Sequence, residues 1–363
     1  MDFMLNKKIN LDEYRNKLKA AFLGRAAGCT LGAPVEGWTL KQMEDYAKET
    51  GLEGYPLTDY WTQIPTPEDV RYGCEPFKNY LKDNLTRIPC DDDIGYTFLS
   101  LFIAEEGNGL DFTLEDVANA WKKYITYAYT AERVALDNLF KGIDPSKAAD
   151  IDNPYDEWIG ADIRCDGYGY MAPCDPKKAA EMAKTDAWIS HRKNGVYGSM
   201  YFAAVISLGF ALSDTKQALI EGLEYIPADC ELADGVRWAL ENYETVKDYR
   251  HAAELVDARY PEMNNVHTLN NACLTIFALA LGKKDIGKVI AEAVAMAHDC
   301  DCTAATAGSI AGACYGMECL DKHWYATFGD KVGSYFNGES EFRISDLLNR
   351  YEKFALQGGK IEA

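Results

Sequence analysis

Residues 297–313 read Ala297-His298-Asp299-Cys300-Asp301-Cys302-Thr303-Ala304-Ala305-Thr306-Ala307-Gly308-Ser309-Ile310-Ala311-Gly312-Ala313. From Thr303 onward nearly every side chain is small or apolar, so this segment predicts a core helix whose neighbours approach closely. Its N-terminus points at the acidic residues ahead of it. Asp299 and Asp301 are two apart, and in an extended loop two such side chains leave the backbone on the same side. That spacing predicts two carboxylates converging on a cation while also capping the helix. Plain capping is one competing reading. A zinc site is another, because His298, Cys300 and Cys302 are all zinc-ligand types. However, Cys-x-Cys is tighter than the usual zinc spacing, and no second Cys/His pair lies at a matching distance. Oxygen-rich loops suit magnesium, manganese or calcium instead.

Along the rest of the chain, helical periodicity dominates. Leu11, Tyr14, Leu18, Ala21 and Phe22 recur at three- and four-residue steps on one helix face. Thr113 opens a helix from Leu114 to about Tyr129, and Asp175-Pro176 offers an N-cap with proline at the first helical position. Ser213 or Asp214 caps a stretch toward Tyr225, and Asp285 to Ala297 carries another helical stripe. No alternating apolar run bounded by hairpin turns stands out, so strands are not expected. The proline- and tyrosine-rich region from Trp38 to Pro89 reads as an irregular excursion with at most short helices, and Asp144 to Asp175 as a second one. The expectation is one all-α domain over residues 1–363, a compact bundle of many helices with long functional loops.

Three further stretches could carry chemistry. Pro89-Cys90-Asp91-Asp92-Asp93-Ile94-Gly95-Tyr96-Thr97 places three carboxylates side by side, which is costly unless they are solvated or hold a cation. An acidic first turn of a helix is the plainer reading. Gly24-Arg25-Ala26-Ala27-Gly28-Cys29-Thr30-Leu31-Gly32-Ala33-Pro34-Val35-Glu36-Gly37 has glycines at every fourth position on one helix face. Pro34 then ends the helix and Glu36 falls in the exit turn, where it is either a cleft carboxylate or a surface residue. A phosphate loop is ruled out, because no Gly-Lys-Ser/Thr follows. Trp188 to Gly198 reads as a polar helix end whose His191 is, on its own, a weak signal.

The net charge is −20, which disfavours nucleic acid and anionic membranes as partners. The longest apolar run, Met200 to Leu212, is too short to span a bilayer. Eleven cysteines without disulfide-like spacing, and an opening without an apolar leader region, point to a reducing cytoplasm.

Taken in chain order, Gly-Arg-Ala-Ala-Gly-x-x-Leu-Gly-Ala-Pro-Val-Glu, an acidic triplet opening a helix, and Asp-x-Asp before Ala-x-Ala-Gly-Ser-Ile-Ala-Gly-Ala-x-Tyr-Gly resemble the ADP-ribosylglycohydrolases from about Tyr14 to Gly316. The resemblance implies an all-α fold with two magnesium ions in a cleft, manganese being the softer alternative. It implies metal ligands at Asp91, Asp92 and Asp93 and at Asp299, Asp301 and Cys302. Either Asp91 or, one residue back, Cys90 takes a position where the family has threonine, and Cys302 replaces a second threonine. Glu36 matches the family's glutamate after the first glycine motif. Substrate contacts are implied at His191, at Tyr197 and Gly198 beside it, and at Asp166, Gly167 and Tyr168, in the segment that stands in for a glycine-rich family loop. The implied reaction is hydrolysis of the glycosidic bond between ADP-ribose and an acceptor, on a small molecule or a protein side chain. A metal-activated water would attack C1'', with Glu36 or Asp301 as general base. A metal-dependent protein that binds ADP-ribose or a nucleotide without turning it over is the alternative on the same scaffold.

Overall fold

The computed structural model describes residues 7–52 and 54–362. Residues 1–6, on which part of the leader reading rests, lie outside the described residues. The long first helix starts where Asn10 accepts a hydrogen bond from the Asp12 amide at 2.9 Å, and it runs Leu11–Gly32. Pro34 has no N–H to continue the ladder, and the chain tightens into a 3-10 turn at Ala33–Val35. Other starts follow their caps. Asp175 accepts from the Lys178 amide ahead of Pro176–Ala187, and Asp214 from the Gln217 amide ahead of Thr215–Gly222. Thr113 and Asp116 form a reciprocal capping box on Leu114–Tyr124, a helix shorter than expected because the backbone turns extended at Ile125. Thr113→Ala is expected to cost about 1 kcal/mol, read as a lower urea midpoint at unchanged slope.

The small-residue helix is central, as its composition predicts. It spans Cys300–Tyr315 and packs against Leu11–Gly32, Ile286–Ala295, Lys193–Ala211 and Thr268–Gly282. Its crossing with Leu11–Gly32 is the closest. A Cβ on Gly24 would lie 2.6 Å from the Gly308 carbonyl oxygen, and one on Gly28 only 2.3 Å from that of Ala304. A Cβ on Gly32 would lie 2.5 Å from the Asp301 Cα. Backbone therefore touches backbone along three turns, which no larger residue permits. The apolar 200–212 run lies almost wholly in the buried Lys193–Ala211 helix, and no described helix is long and apolar enough to cross a membrane.

Three small strand pairs depart from the strand-free expectation. Val70–Arg71 pairs antiparallel with Glu75–Pro76, Val332–Phe336 with Glu339–Phe342, and Ile9–Asn10 runs parallel to Ile361–Glu362. The second pair turns at Asn337-Gly338, a two-residue hairpin signal, but Val332 and Gly333 are both buried, so the strand lacks the alternation that would reveal it. The Trp38–Pro89 excursion holds a capped helix at Leu40–Glu49, 3-10 turns and the first hairpin.

Candidate metal centre

The two acidic clusters meet at helix N-termini. Asp91 is the N-cap of Asp92–Glu106 and accepts from the Asp93 amide at 3.3 Å, so the plain helix-start reading and the clustering hold together. The second cluster differs from its expected form. The helix begins at Cys300, which puts Asp301 and Cys302 inside its first turn rather than in an extended loop, and Asp299 makes no side-chain cap bond. Ala297 and His298 reach that turn with φ of 63° and 60°, an unusual backbone for residues with a Cβ. Because Gly32 lies on the Asp301 backbone, the exit of the first helix, and Glu36 with it, arrives at the same place. Ligand atoms of Cys29, Asp91, Asp93 and Asp301 all lie within 4.8 Å of one another, as do those of Asp299, Asp301 and Cys302.

Two buried arginines hold this cluster. Arg25, from the glycine motif, donates to the Asp93 carboxylate at 3.1 Å and to its carbonyl at 2.9 Å, and reaches Asp166 at 3.0 Å and the Ile163 carbonyl at 2.6 Å. Arg71, from the first hairpin, sits among the carboxylates themselves. Its Nε donates to Asp91 Oδ2 at 2.8 Å, its Nη2 to Asp301 Oδ2, and its Nη1 to Glu36 and to the Ala33 carbonyl. The Tyr72 hydroxyl bonds both Glu36 oxygens, at 3.0 and 2.7 Å, and the Arg71 guanidinium lies 4.2 Å from the centre of the Tyr72 ring. Sequence reading missed Arg71. It lies in the irregular excursion, and the acidic clusters call for a counter-charge without saying which of 37 Lys and Arg supplies it.

The electrostatics follow from burial. Burial pushes the Asp91 carboxyl up, but Arg71 beside it and hydrogen bonds from Asp92, Arg71 and Tyr80 bring it below the ordinary value. Burial, and then the charges of Asp91 and Asp93, push Asp92 well up. Burial raises Asp93 to about 7 against the pull of Arg25, and burial with Glu36 raises Asp299 to about 7. Asp301 goes well up, from burial and Glu36. With Arg25 and Arg71 facing Glu36, Asp91, Asp92, Asp93, Asp299 and Asp301, the cluster is short of positive charge, which a divalent cation would supply in exchange for protons.

The donor set fits such a cation on one side. Asp299 Oδ1 and Asp301 Oδ1 are buried without a partner, and Asp93 Oδ2 is met only by the Cys302 thiol at 3.5 Å. Carboxylate oxygens suit magnesium or manganese, and the Cys302 sulfur favours the softer of the two. The zinc alternative loses its geometry. His298 Nε2 bonds Asp257 at 2.8 Å, Cys300 Sγ turns to the Gly32 carbonyl, and Cys302 to Asp93.

The remaining expected contacts lie deeper. His191 is fully buried; its Nδ1 bonds Ser190 Oγ at 2.8 Å, and burial, with Arg164 and Arg192, holds the ring neutral. Asp166 and Tyr168 are buried, Asp166 on Arg25, and a Cβ on Gly167 would clash with Ser100 Oγ. Gly198 presses on Asp162, and Tyr197 keeps partial exposure. None of these six opens onto solvent beside the acidic cluster as Glu36 does, with its side chain 25% exposed.

Comparison with known proteins bears on most of the chain. A family model described as ADP-ribosylglycohydrolase matches residues 10–352. A solved structure described as an ADP-ribosylglycohydrolase-related protein complex superposes with a TM-score of 0.61 at 17% identity, over 96% of this chain and 100% of the other, and so shares the fold. No curated protein matches.

Proposed function

The chain belongs to the ADP-ribosylglycohydrolase family and is a glycosidic-bond hydrolase, and from that premise we propose that it cleaves the bond between C1'' of ADP-ribose and an acceptor in a magnesium-dependent reaction. The observation that carries the metal part is the pair of buried, unpartnered oxygens, Asp299 Oδ1 and Asp301 Oδ1, in a cluster that Arg71 ties to Glu36. We read Asp93, Asp299, Asp301 and Cys302 as the residues that would hold the ion, with Asp91 and Asp92 shaping the rest of the site. A divalent cation there would supply Lewis acidity toward the ribose hydroxyls and fix the attacking water against C1''.

The chain's own residues do the proton work. Glu36 is steered by the Tyr72 hydroxyl and Arg71, which leaves its carboxylate in one orientation at the open side of the cluster. There it can take the proton of the attacking water, while Asp301 is the base on the buried side. His191, Asp166, Gly167, Tyr168, Tyr197 and Gly198 would then act by packing the wall behind the site. The described residues are read as one domain, and the substrate as an ADP-ribosylated small molecule or protein side chain.

The test uses purified protein, stripped of metal and then reloaded. Magnesium at a hundredfold excess over its Kd should stabilise by roughly 2.7 kcal/mol, seen as a rise in Tm that a chelator reverses. Release of ADP-ribose from a panel of ADP-ribosylated acceptors should require the ion. A Tm blind to both magnesium and chelator would sink the metal reading. Tight ADP-ribose binding without release from any acceptor would favour the non-catalytic alternative.

A further inference from the structure

The Val70–Pro76 hairpin is tied to the segment that delivers Asp91. Glu75 Oε2 accepts from the Cys90 amide at 2.8 Å and from Arg87 at 2.8 Å, and the Cys74 thiol approaches the Cys90 carbonyl. On its other side Tyr72 packs on Tyr129 at 4.7 Å between ring centres, and Tyr129 on Tyr127 at 4.7 Å. Arg71 is itself only 5% exposed. The hairpin is thus bonded in place on two sides, and its guanidinium is a fixed part of the cluster.

The oxygens divide accordingly. Both oxygens of Asp91 are taken, Oδ2 by Arg71 and the Tyr80 hydroxyl and Oδ1 by the Asp93 amide. Asp301 is split, with Oδ2 on Arg71 and Oδ1 unpartnered. Asp299 Oδ1 is unpartnered on the same far side, where Cys302 lies. A guanidinium in contact with three carboxylates already supplies a positive charge where Asp91 would otherwise need a metal, and it would repel a second cation placed there.

We propose that the Arg71 guanidinium is the permanent cation of the Asp91 half of the site, so that the chain binds a single divalent ion, on the Asp93–Asp299–Asp301 half. This rests on the metal reading above and differs from the two-ion arrangement that the family resemblance implies. It makes Arg71 a positioning residue, setting both where the ion sits and how Glu36 points.

The experiment counts ions. Full-length protein, stripped with chelator, is titrated with Mn2+, with free ion followed by electron paramagnetic resonance and heats by calorimetry. Wild type is expected to bind one ion per chain and Arg71→Met two, the second filling the vacated carboxylates. Arg71→Lys keeps the charge and should stay at one, which guards against a methionine variant that fails to fold. Two ions in wild type, one in a folded Arg71→Met, or two in Arg71→Lys would each overturn the assignment to Arg71 while leaving the metal reading standing. If wild type binds none but Arg71→Met binds any, Arg71 blocks the whole site and the half-site assignment is wrong. No binding by any form would sink the metal reading itself, and this inference with it.

Discussion

Arg164→Met is expected to remove about 3–5 kcal/mol of folding free energy. Arg164 ends the 3-10 segment Ile159–Arg164 and is 1% exposed. Its Nε donates to Asp186 Oδ2 at 2.9 Å, its Nη1 to Glu132 and the Gly160 carbonyl, and its Nη2 to Ser190 Oγ at 3.1 Å. The guanidinium also lies 4.9 Å from the Trp121 ring centre. Methionine fills much of the volume but leaves two buried carboxylates without their cation, which is why the cost exceeds that of the lost hydrogen bonds alone. The loss depends on pH. Burial already pushes the Glu132 carboxyl up, and Arg164 is the main group opposing that push. Without Arg164 the folded-state pKa of Glu132 rises further above its unfolded value. A group so raised favours the fold while protonated and loses that contribution as pH climbs through the folded pKa. The variant should therefore lie furthest below wild type at neutral pH, with the gap closing toward pH 5. Urea unfolding at both pH values measures it. A neutral-pH difference under about 1 kcal/mol, the size of an ordinary hydrogen bond, would show that the two acids find other partners.

Glu36→Gln should lower turnover by at least roughly a hundredfold, within the 10²- to 10⁴-fold that general-base catalysis typically contributes. Glutamine keeps the shape and can still meet the Tyr72 hydroxyl, but it cannot take a proton. Affinity for ADP-ribose should change little, since the lost function acts on the water rather than on the nucleotide. Steady-state release of ADP-ribose, paired with calorimetric binding, separates the two. Full turnover in a correctly folded Glu36→Gln protein would leave Asp301 as the base. Lost stability with turnover per folded molecule preserved would make Glu36 structural, its carboxylate serving only as a partner for Arg71.

The fold was legible where local chemistry decides it. Thr113, Asp175 and Asp214 were each a start signal, and the Gly24–Gly28–Gly32 spacing announced a close helix crossing. The candidate site was legible as two acidic clusters, because adjacent carboxylates are costly unless something uses them. What was hidden was long-range. Arg71 reaches Asp301 across 230 residues, and no local pattern marks a hairpin arginine as the counter-ion of a distant helix. His191, a weak signal on its own, is hidden for a related reason. Its sequence neighbours are polar, and only the fold shows that the ring is buried beside Ser190, whose hydroxyl accepts from Arg164. The shift of Asp301 into a helical turn has a similar cause, since a helix can recruit the very residues that would otherwise form its preceding loop.

The contact between Gly32 and the Asp301 backbone has a mechanical consequence. Asp301 sits on one rod and Glu36 leaves the end of the other through the Ala33–Val35 turn, and the rods touch at Gly32 without any side chain between them. Side chains can hop between rotamers, but two abutting backbones can only slide or separate, and both motions strain many bonds at once. The distance between the proposed base and the proposed metal seat is thus anchored at a junction that has no side chain to yield. Drift at this joint would have to begin with a glycine, and the first extra methyl group there would pry the two halves of the chemistry apart while the rest of the bundle still held.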